Sequence, residues 1–135
     1  HTTAPALRVL IVEDNEDLIK LYALHMRLWP FPVDIKSAVG GQQALLEINS
    51  RAPDLLITDL SMPRFDGFQL LRAIRKIEGL RGMAIVVVTG ISQEEIRSRS
   101  GLPKDLVVLP KPIPFDLLRN LARDIFDQEY KNLKV

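Results

Sequence analysis

The chain has 135 residues, 47% of them hydrophobic and 26% charged. That is one domain's length, with enough apolar side chain to bury a core and a composition unlike that of disordered chains. Lys plus Arg number 18 and Asp plus Glu 17, a net charge of +1, so no single-signed field of the kind that grips nucleic acid is expected. The absence of cysteine excludes disulfides, thiolate metal sites and Cys nucleophiles. No apolar run approaches the ~20 residues of a membrane-spanning helix, and no secretory leader pattern is visible.

Residues 1–6 read as a tag or linker remnant and are set aside. Leu7 to Val12 (LRVLIV) is a short, nearly continuous apolar run rich in β-branched residues, the pattern of a strand buried on both faces of a parallel sheet. Asn15 or a neighbour can cap the helix that follows. Leu18, Leu21, Tyr22, His25, Leu28 and Trp29 recur there at helical spacing until Pro30 and Pro32 stop it. His25 reads as a boundary or core histidine, and Trp29 with Phe31 as the closure of the far end of the core. Val33 to Val39 is a second, more polar strand suited to a sheet edge. Gly40-Gly41 breaks the chain, and Ala44, Leu45 and Ile48 mark a short helix ended before Pro53.

Leu55-Leu56-Ile57-Thr58 is the third strand, closed by Asp59. A turn with Pro63 and Gly67 leads into a helix marked by Phe68, Leu71, Ile74 and Ile77, with Asp66 placed to cap it. Ala84 to Val88 (AIVVV) is the most strongly β stretch. Ser92-Gln-Glu-Glu95 matches a capping box, but the helix it opens has Ile96 as its one large apolar residue before Gly101 and Pro103. Leu106 to Leu109 is a fifth strand. Pro114 suits a first helical turn, and Leu117, Leu118, Leu121, Ala122 and Ile125 form the last amphipathic helix.

Five strand–helix units without an internal linker imply an α/β, doubly wound, flavodoxin-like (βα)5 domain. Its five-stranded parallel sheet should carry helices on both faces, with right-handed crossovers. Ligand sites in such sheets lie at the carboxyl ends of the strands, near the point where strand order reverses. Those ends carry Glu13 and Asp14, then Asp59, then Thr89, then Lys111. Crowded carboxylates repel one another and call for a cation, and oxygen donors suit Mg²⁺. A Lys and a Thr beside them can hold phosphoryl oxygens, and an Asp carboxylate can itself be phosphorylated. Each residue alone reads equally well as a helix cap or a solvated group. All four strand ends being reactive, in this order and with Pro112 after the Lys, is the informative observation.

These residues resemble the receiver domain of two-component response regulators. The resemblance rests on Glu13-Asp14 after LRVLIV, on Asp59-Leu-Ser-Met62-Pro63-Arg-Phe-Asp-Gly67, on Thr89-Gly90 and on Lys111-Pro112, with Gly41-Gln-Gln-Ala44-Leu45 matching the second-helix pattern. It covers about residues 7–126, leaving 127–135 as the tail of the last helix or a linker. It implies Asp59 as phosphoacceptor, with Mg²⁺ held by Asp14, Asp59 and the Ser61 carbonyl and more loosely, through water, by Glu13. It implies Thr89 as hydrogen-bond donor to the phosphoryl group, Lys111 as its ion-pair partner, and a cis Lys111–Pro112 bond. The phosphoryl donor would be a phosphohistidine on a histidine kinase or histidine phosphotransfer protein. The output would lie in an effector domain or protein outside this chain, with no direct contact to nucleic acid or membrane, a cytoplasmic location, and a weak homodimer allowed. Such a domain is no enzyme toward separate substrates: it catalyses only its own phosphorylation and slow dephosphorylation.

Three positions depart from the family pattern. Val108 stands where an aromatic switch residue is common. Gly90 replaces a small Ala or Ser, and Arg97-Ser-Arg-Ser-Gly101 replaces an Ala-rich helical face. Ser61 and Ile91, two residues after Asp59 and Thr89, offer no amide or carboxylate to orient an attacking water, which implies a long-lived phosphoryl group. A phosphorylation-independent pseudo-receiver, acting only as an interaction module, is the alternative. Intact Asp14, Asp59, Thr89 and Lys111 count against it. An aspartate-dependent phosphatase would need an Asp-x-Asp pair on the first strand and a cap, and no phosphate-binding glycine motif points to nucleotide.

Overall fold

In the computed structural model, which describes residues 5–80, 82–103 and 106–130, strands and helices alternate without exception. They are β1 (Leu7–Val12), α1 (Glu16–Met26), β2 (Val33–Ala38), α2 (Gly41–Ser50), β3 (Leu55–Thr58), α3 (Gly67–Arg75), β4 (Ala84–Thr89), α4 (Gln93–Arg97), β5 (Val107–Pro110) and α5 (Phe115–Tyr130). The five strands form one parallel sheet in the order β2-β1-β3-β4-β5. Strand order therefore reverses between β1 and β3, and their carboxyl ends bound the crevice where such sheets place ligands. Of the expected tag or linker remnant over 1–6 and tail over 127–135, residues 1–4 and 131–135 lie outside the described residues.

The apolar runs alternate faces along each strand. Leu7, Val9 and Ile11 of β1 point to one side with Leu55, Ile57, Val86 and Val88, where they meet α1 and α5 through Tyr22, Met26, Leu118 and Ala122. Leu10, Val12 and Leu56 point to the other side and pack on α2 and α3 through Ala44, Ile48, Leu70 and Ile74. A third cluster joins Leu60, Phe68 and Leu71 to Val87 and to Ile96 of α4. The polar β2 is an edge strand, as its composition suggests. β5 is the other edge, and it accommodates Pro110, which could not donate to a further strand.

The helix ends follow local chemistry. Asn15 accepts the N–H groups of Asp17 and Leu18, and Asp66 with Gln69 forms a full capping box at α3. At α4 only half of the expected box forms, the Ser92 hydroxyl accepting the Glu95 N–H. The first helix stops at Met26, four residues before Pro30, because Leu28 and Trp29 donate to His25 and Met26 in a tightened last turn. Pro114 sits just before α5, its carbonyl accepting the Leu118 N–H, and β5 starts at Val107 rather than Leu106.

Two helical faces differ from expectation. On α1 the buried stripe is Tyr22 and Met26, whereas Leu21 turns outward, as does Leu28 just beyond the helix, with 79% of its surface exposed. Tyr22 packs edge-on against Phe115 and so fixes the rotation of the helix. On α5, Leu118 and Ala122 are buried and Leu117 is exposed, since residues 117 and 118 stand about 100° apart and cannot both face the sheet. His25 lies at the boundary, stacked on the Phe115 ring at 3.7 Å.

The last turn of α5 is anchored at the opposite edge of the sheet from the acidic strand ends. Phe31 stacks on Phe126, Tyr130 packs tilted against Phe126, and the Tyr130 hydroxyl donates to Asp54 at 2.7 Å. Asp54 also accepts the Arg8 backbone N–H at 2.9 Å and lies 3.7 Å from its guanidinium. Burial first, then the hydrogen bond and charge of Asp54, push the Tyr130 phenol up to about 12, while Arg8 pulls it down. Because the folded value lies above the unfolded one near 10, the stabilisation is complete below about pH 10 and is lost as pH rises through about 12. Tyr130→Phe should therefore cost about 1 kcal/mol at neutral pH, a gap that narrows only above about pH 10. Urea denaturation across pH measures it, and equal stabilities at pH 7 would rule the anchor out.

Candidate functional site

The carboxyl edge of the sheet brings three of the expected residues into direct contact. Lys111, just beyond β5, places its Nζ 2.8 Å from Asp59 Oδ2 and 3.0 Å from Glu13 Oε1. Its side chain reaches across because Lys111 N–H donates to the Thr89 carbonyl, which docks the end of β5 on β4. The Lys111–Pro112 peptide is cis. Asp59 is 7% exposed, and its second oxygen accepts the N–H groups of Leu60 at 2.7 Å and Ser61 at 3.3 Å, so both oxygens are held. Glu13 is 2% exposed, and its second oxygen accepts the Asn15 N–H at 3.1 Å, joining the site to the cap of α1.

Asp14 and Thr89 stand at the same edge in different roles. Asp14 is exposed, with its carboxyl beside that of Glu13. Thr89 is buried, and its hydroxyl accepts the Ile91 N–H at 3.2 Å, so in this conformation it closes its own loop. Ser61 is exposed at the start of the loop after Asp59.

The electrostatics follow from this crowding. Burial pushes the Glu13 carboxyl above its ordinary value and the Asp14 carboxyl adds to that, while the Asn15 N–H and Lys111 work against them. Burial pulls the Lys111 ammonium down, but the hydrogen bonds and charges of Asp59 and Glu13 outweigh it and raise it overall. Tyr22 was legible only as core. It lies close enough for Glu13 and Asp59 to add to the effect of its burial in raising its phenol.

Hard oxygen donors dominate here, which fits Mg²⁺ rather than a softer ion. Among the described residues no three His, Cys, Asp or Glu side chains converge in metal-binding geometry. Asp14 and Asp59 instead offer carboxylate oxygens at this edge, and the loop after Asp59 offers backbone carbonyls. That set suits an ion that takes one or two carboxylates and keeps several waters.

The contact between Gly41 and Phe65 was not legible in the sequence. Gly41, the first residue of α2, donates its N–H to the Phe65 carbonyl at 3.2 Å and so touches the loop after Asp59 from a different element. The glycine pair marked a break in the chain, but nothing in the sequence names the partner across the gap.

Comparison with known proteins identifies the family. Residues 9–123 match the response regulator receiver domain, and the chain belongs to that family. It is 30% identical over 123 residues to the transcriptional regulatory protein GlrR of Escherichia coli K12, covering 89% of this chain and 26% of that protein. It is 30% identical over 109 residues to the phosphate regulon transcriptional regulatory protein PhoB of Rhizobium meliloti, covering 79% of this chain and 47% of that one. The chain thus spans about a quarter to a half of these relatives. Among solved structures, a sensor protein from Polaromonas sp. JS666 superposes with TM-score 0.79 at 30% identity, covering 92% of this chain and 98% of that one. The receiver domain of sensor histidine kinase PA1611 from Pseudomonas aeruginosa, with a magnesium ion in its active-site cleft, superposes with TM-score 0.77 at 21% identity, covering 89% and 97%. No helix among the described residues is long and apolar enough to cross a membrane.

Proposed function

We propose that this receiver accepts a phosphoryl group on Asp59 from a phosphohistidine of a histidine kinase or histidine phosphotransfer protein, and that the modified domain signals to an effector outside the chain. The observation that carries this reading is the Lys111 ammonium bridging Asp59 and Glu13 at the strand-order reversal. Asp14, Asp59 and the Ser61 carbonyl would hold Mg²⁺, with Glu13 through water. When bound, the ion offsets charge on the phosphoryl oxygens and orients them. That a similar receiver is described with magnesium in its cleft supports this assignment.

The chain's own residues supply the rest. The backbone N–H groups of Leu60 and Ser61 fix the Asp59 carboxylate. One carboxylate oxygen attacks phosphorus in line, an acyl phosphate bond forms, the phosphorus–nitrogen bond breaks, and the imidazole leaves with its electron pair. Lys111 exchanges its contact with Asp59 for the new phosphoryl oxygens, which keeps catalysis a matter of position and charge. The Thr89 hydroxyl, a donor whose proton is not committed to a described partner, turns to the phosphoryl group and draws the loop after β4 with it.

Incubation with Mg²⁺ and acetyl phosphate, followed by intact-mass measurement, tests the reading. One added phosphoryl group mapped to Asp59 is expected. No modification, together with no response to beryllofluoride, would replace it with a phosphorylation-independent interaction module. The acyl phosphate should also be long-lived, because Ser61 and Ile91 provide no amide or carboxylate to orient an attacking water. A half-life of seconds after removal of the donor would contradict that.

A further inference from the structure

The loop that follows Asp59 is strained and held from outside. Arg64 adopts φ 63°, the left-handed region, which costs a residue with a β-carbon about 1 kcal/mol or more and persists only where surroundings enforce it. One end of the loop is closed at Gly67, whose N–H donates to the Leu60 carbonyl at 3.1 Å and where a β-carbon would lie 2.6 Å from Leu60 Cα. The other restraint comes from α2. The Gly41 N–H is the one hydrogen-bond donor that reaches residues 61–65 from outside 59–69 among the described residues. The Phe65 ring packs into the α2–α3 cluster. A β-carbon on Gly41 would overlap that ring and lie 2.8 Å from the Phe65 carbonyl oxygen. Ser61 lies between these two restraints.

We propose that Gly41 is a positioning residue for the phosphoacceptor loop: by admitting Phe65 against the start of α2, it holds the Ser61 carbonyl where a magnesium ion needs it. This rests on the reading of Asp59, Asp14 and Ser61 as the metal site. It adds a residue from a different element, the first of α2, whose hydrogen bond reaches the loop at Phe65. Gly40, where an added β-carbon meets nothing, is the internal control.

The test measures Mg²⁺ affinity by calorimetry on the wild type, Gly40→Ala, Gly41→Ala, Phe65→Ala and the Gly41→Ala/Phe65→Ala pair, with thermal melts to confirm folding. Gly41→Ala should bind Mg²⁺ about tenfold more weakly, the usual effect of disturbing support behind a metal ligand. Gly40→Ala should match the wild type. In the Phe65→Ala background, where the ring overlap is gone, Gly41→Ala should cost clearly less than it does alone. Phosphorylation by acetyl phosphate should need more Mg²⁺ for half-maximal rate yet recover at saturating Mg²⁺, a split that loss of fold alone would not produce. If Gly41→Ala does not fold, the double variant decides: freed of the ring overlap, though not of the 2.8 Å approach to the residue 65 carbonyl, it should fold and bind Mg²⁺ less than tenfold more weakly than Phe65→Ala. A folded Gly41→Ala with wild-type Mg²⁺ affinity, or a full tenfold loss persisting in the double variant, overturns the inference alone. A wild type that binds no Mg²⁺ overturns the metal site and the inference together.

Discussion

Asp59→Asn is expected to abolish phosphoryl incorporation from acetyl phosphate or a phosphohistidine donor while leaving the fold intact. The neutral amide cannot form an acyl phosphate, and no other carboxylate combines the same position with the same support. Glu13 is engaged by Lys111 and the Asn15 N–H, and Asp14 is exposed without the two backbone N–H groups that fix Asp59. The fold should survive because the amide oxygen can still accept the Leu60 N–H, and Lys111 keeps its 3.0 Å contact with Glu13. Intact-mass measurement and a thermal melt check both halves. Residual modification at the wild-type rate would move the phosphoacceptor elsewhere.

The strand ends were legible because parallel strands buried on both faces read as nearly continuous apolar runs, so the polar residues that follow each run mark the carboxyl edge. LRVLIV, LLIT and AIVVV end at Glu13, Asp59 and Thr89 for that reason. The caps at Asn15 and Asp66 were legible because a side chain that accepts its own helix's N–H groups acts within four residues. Helix faces were less so. α1 offers Leu21 and Tyr22 side by side, and what buries Tyr22 rather than Leu21 is the Phe115 ring, 93 positions along the chain. Leu117 was assigned to the core for the same reason, a local period without knowledge of the opposing surface. The Gly41–Phe65 contact was beyond reach, since no local pattern encodes which residue fills the space a missing β-carbon leaves.

The second large effect concerns Lys111, and its two consequences run in opposite directions. Lys111→Met should slow phosphorylation of Asp59 by about 10²–10³-fold at saturating Mg²⁺, the usual loss when one fixed donor to a transition-state oxygen is removed. The same substitution should tighten Mg²⁺ binding. In the wild type the ammonium lies 2.8 Å from Asp59 and 3.0 Å from Glu13, so it competes for the carboxylates that would face a divalent cation and repels that cation. Without it, Glu13 and Asp59, both nearly buried, face each other with no counter-charge, and a cation gains what the lysine gave up. The absence of Mg²⁺ should then be costly, so the melting temperature of Lys111→Met should respond more steeply to added Mg²⁺ than that of the wild type. Calorimetry, melts over a Mg²⁺ series and phosphorylation rates separate these effects. Slower phosphorylation with weaker Mg²⁺ binding would mean that Lys111 builds the site by holding Asp59 in shape, and that its charge at the phosphoryl group is secondary.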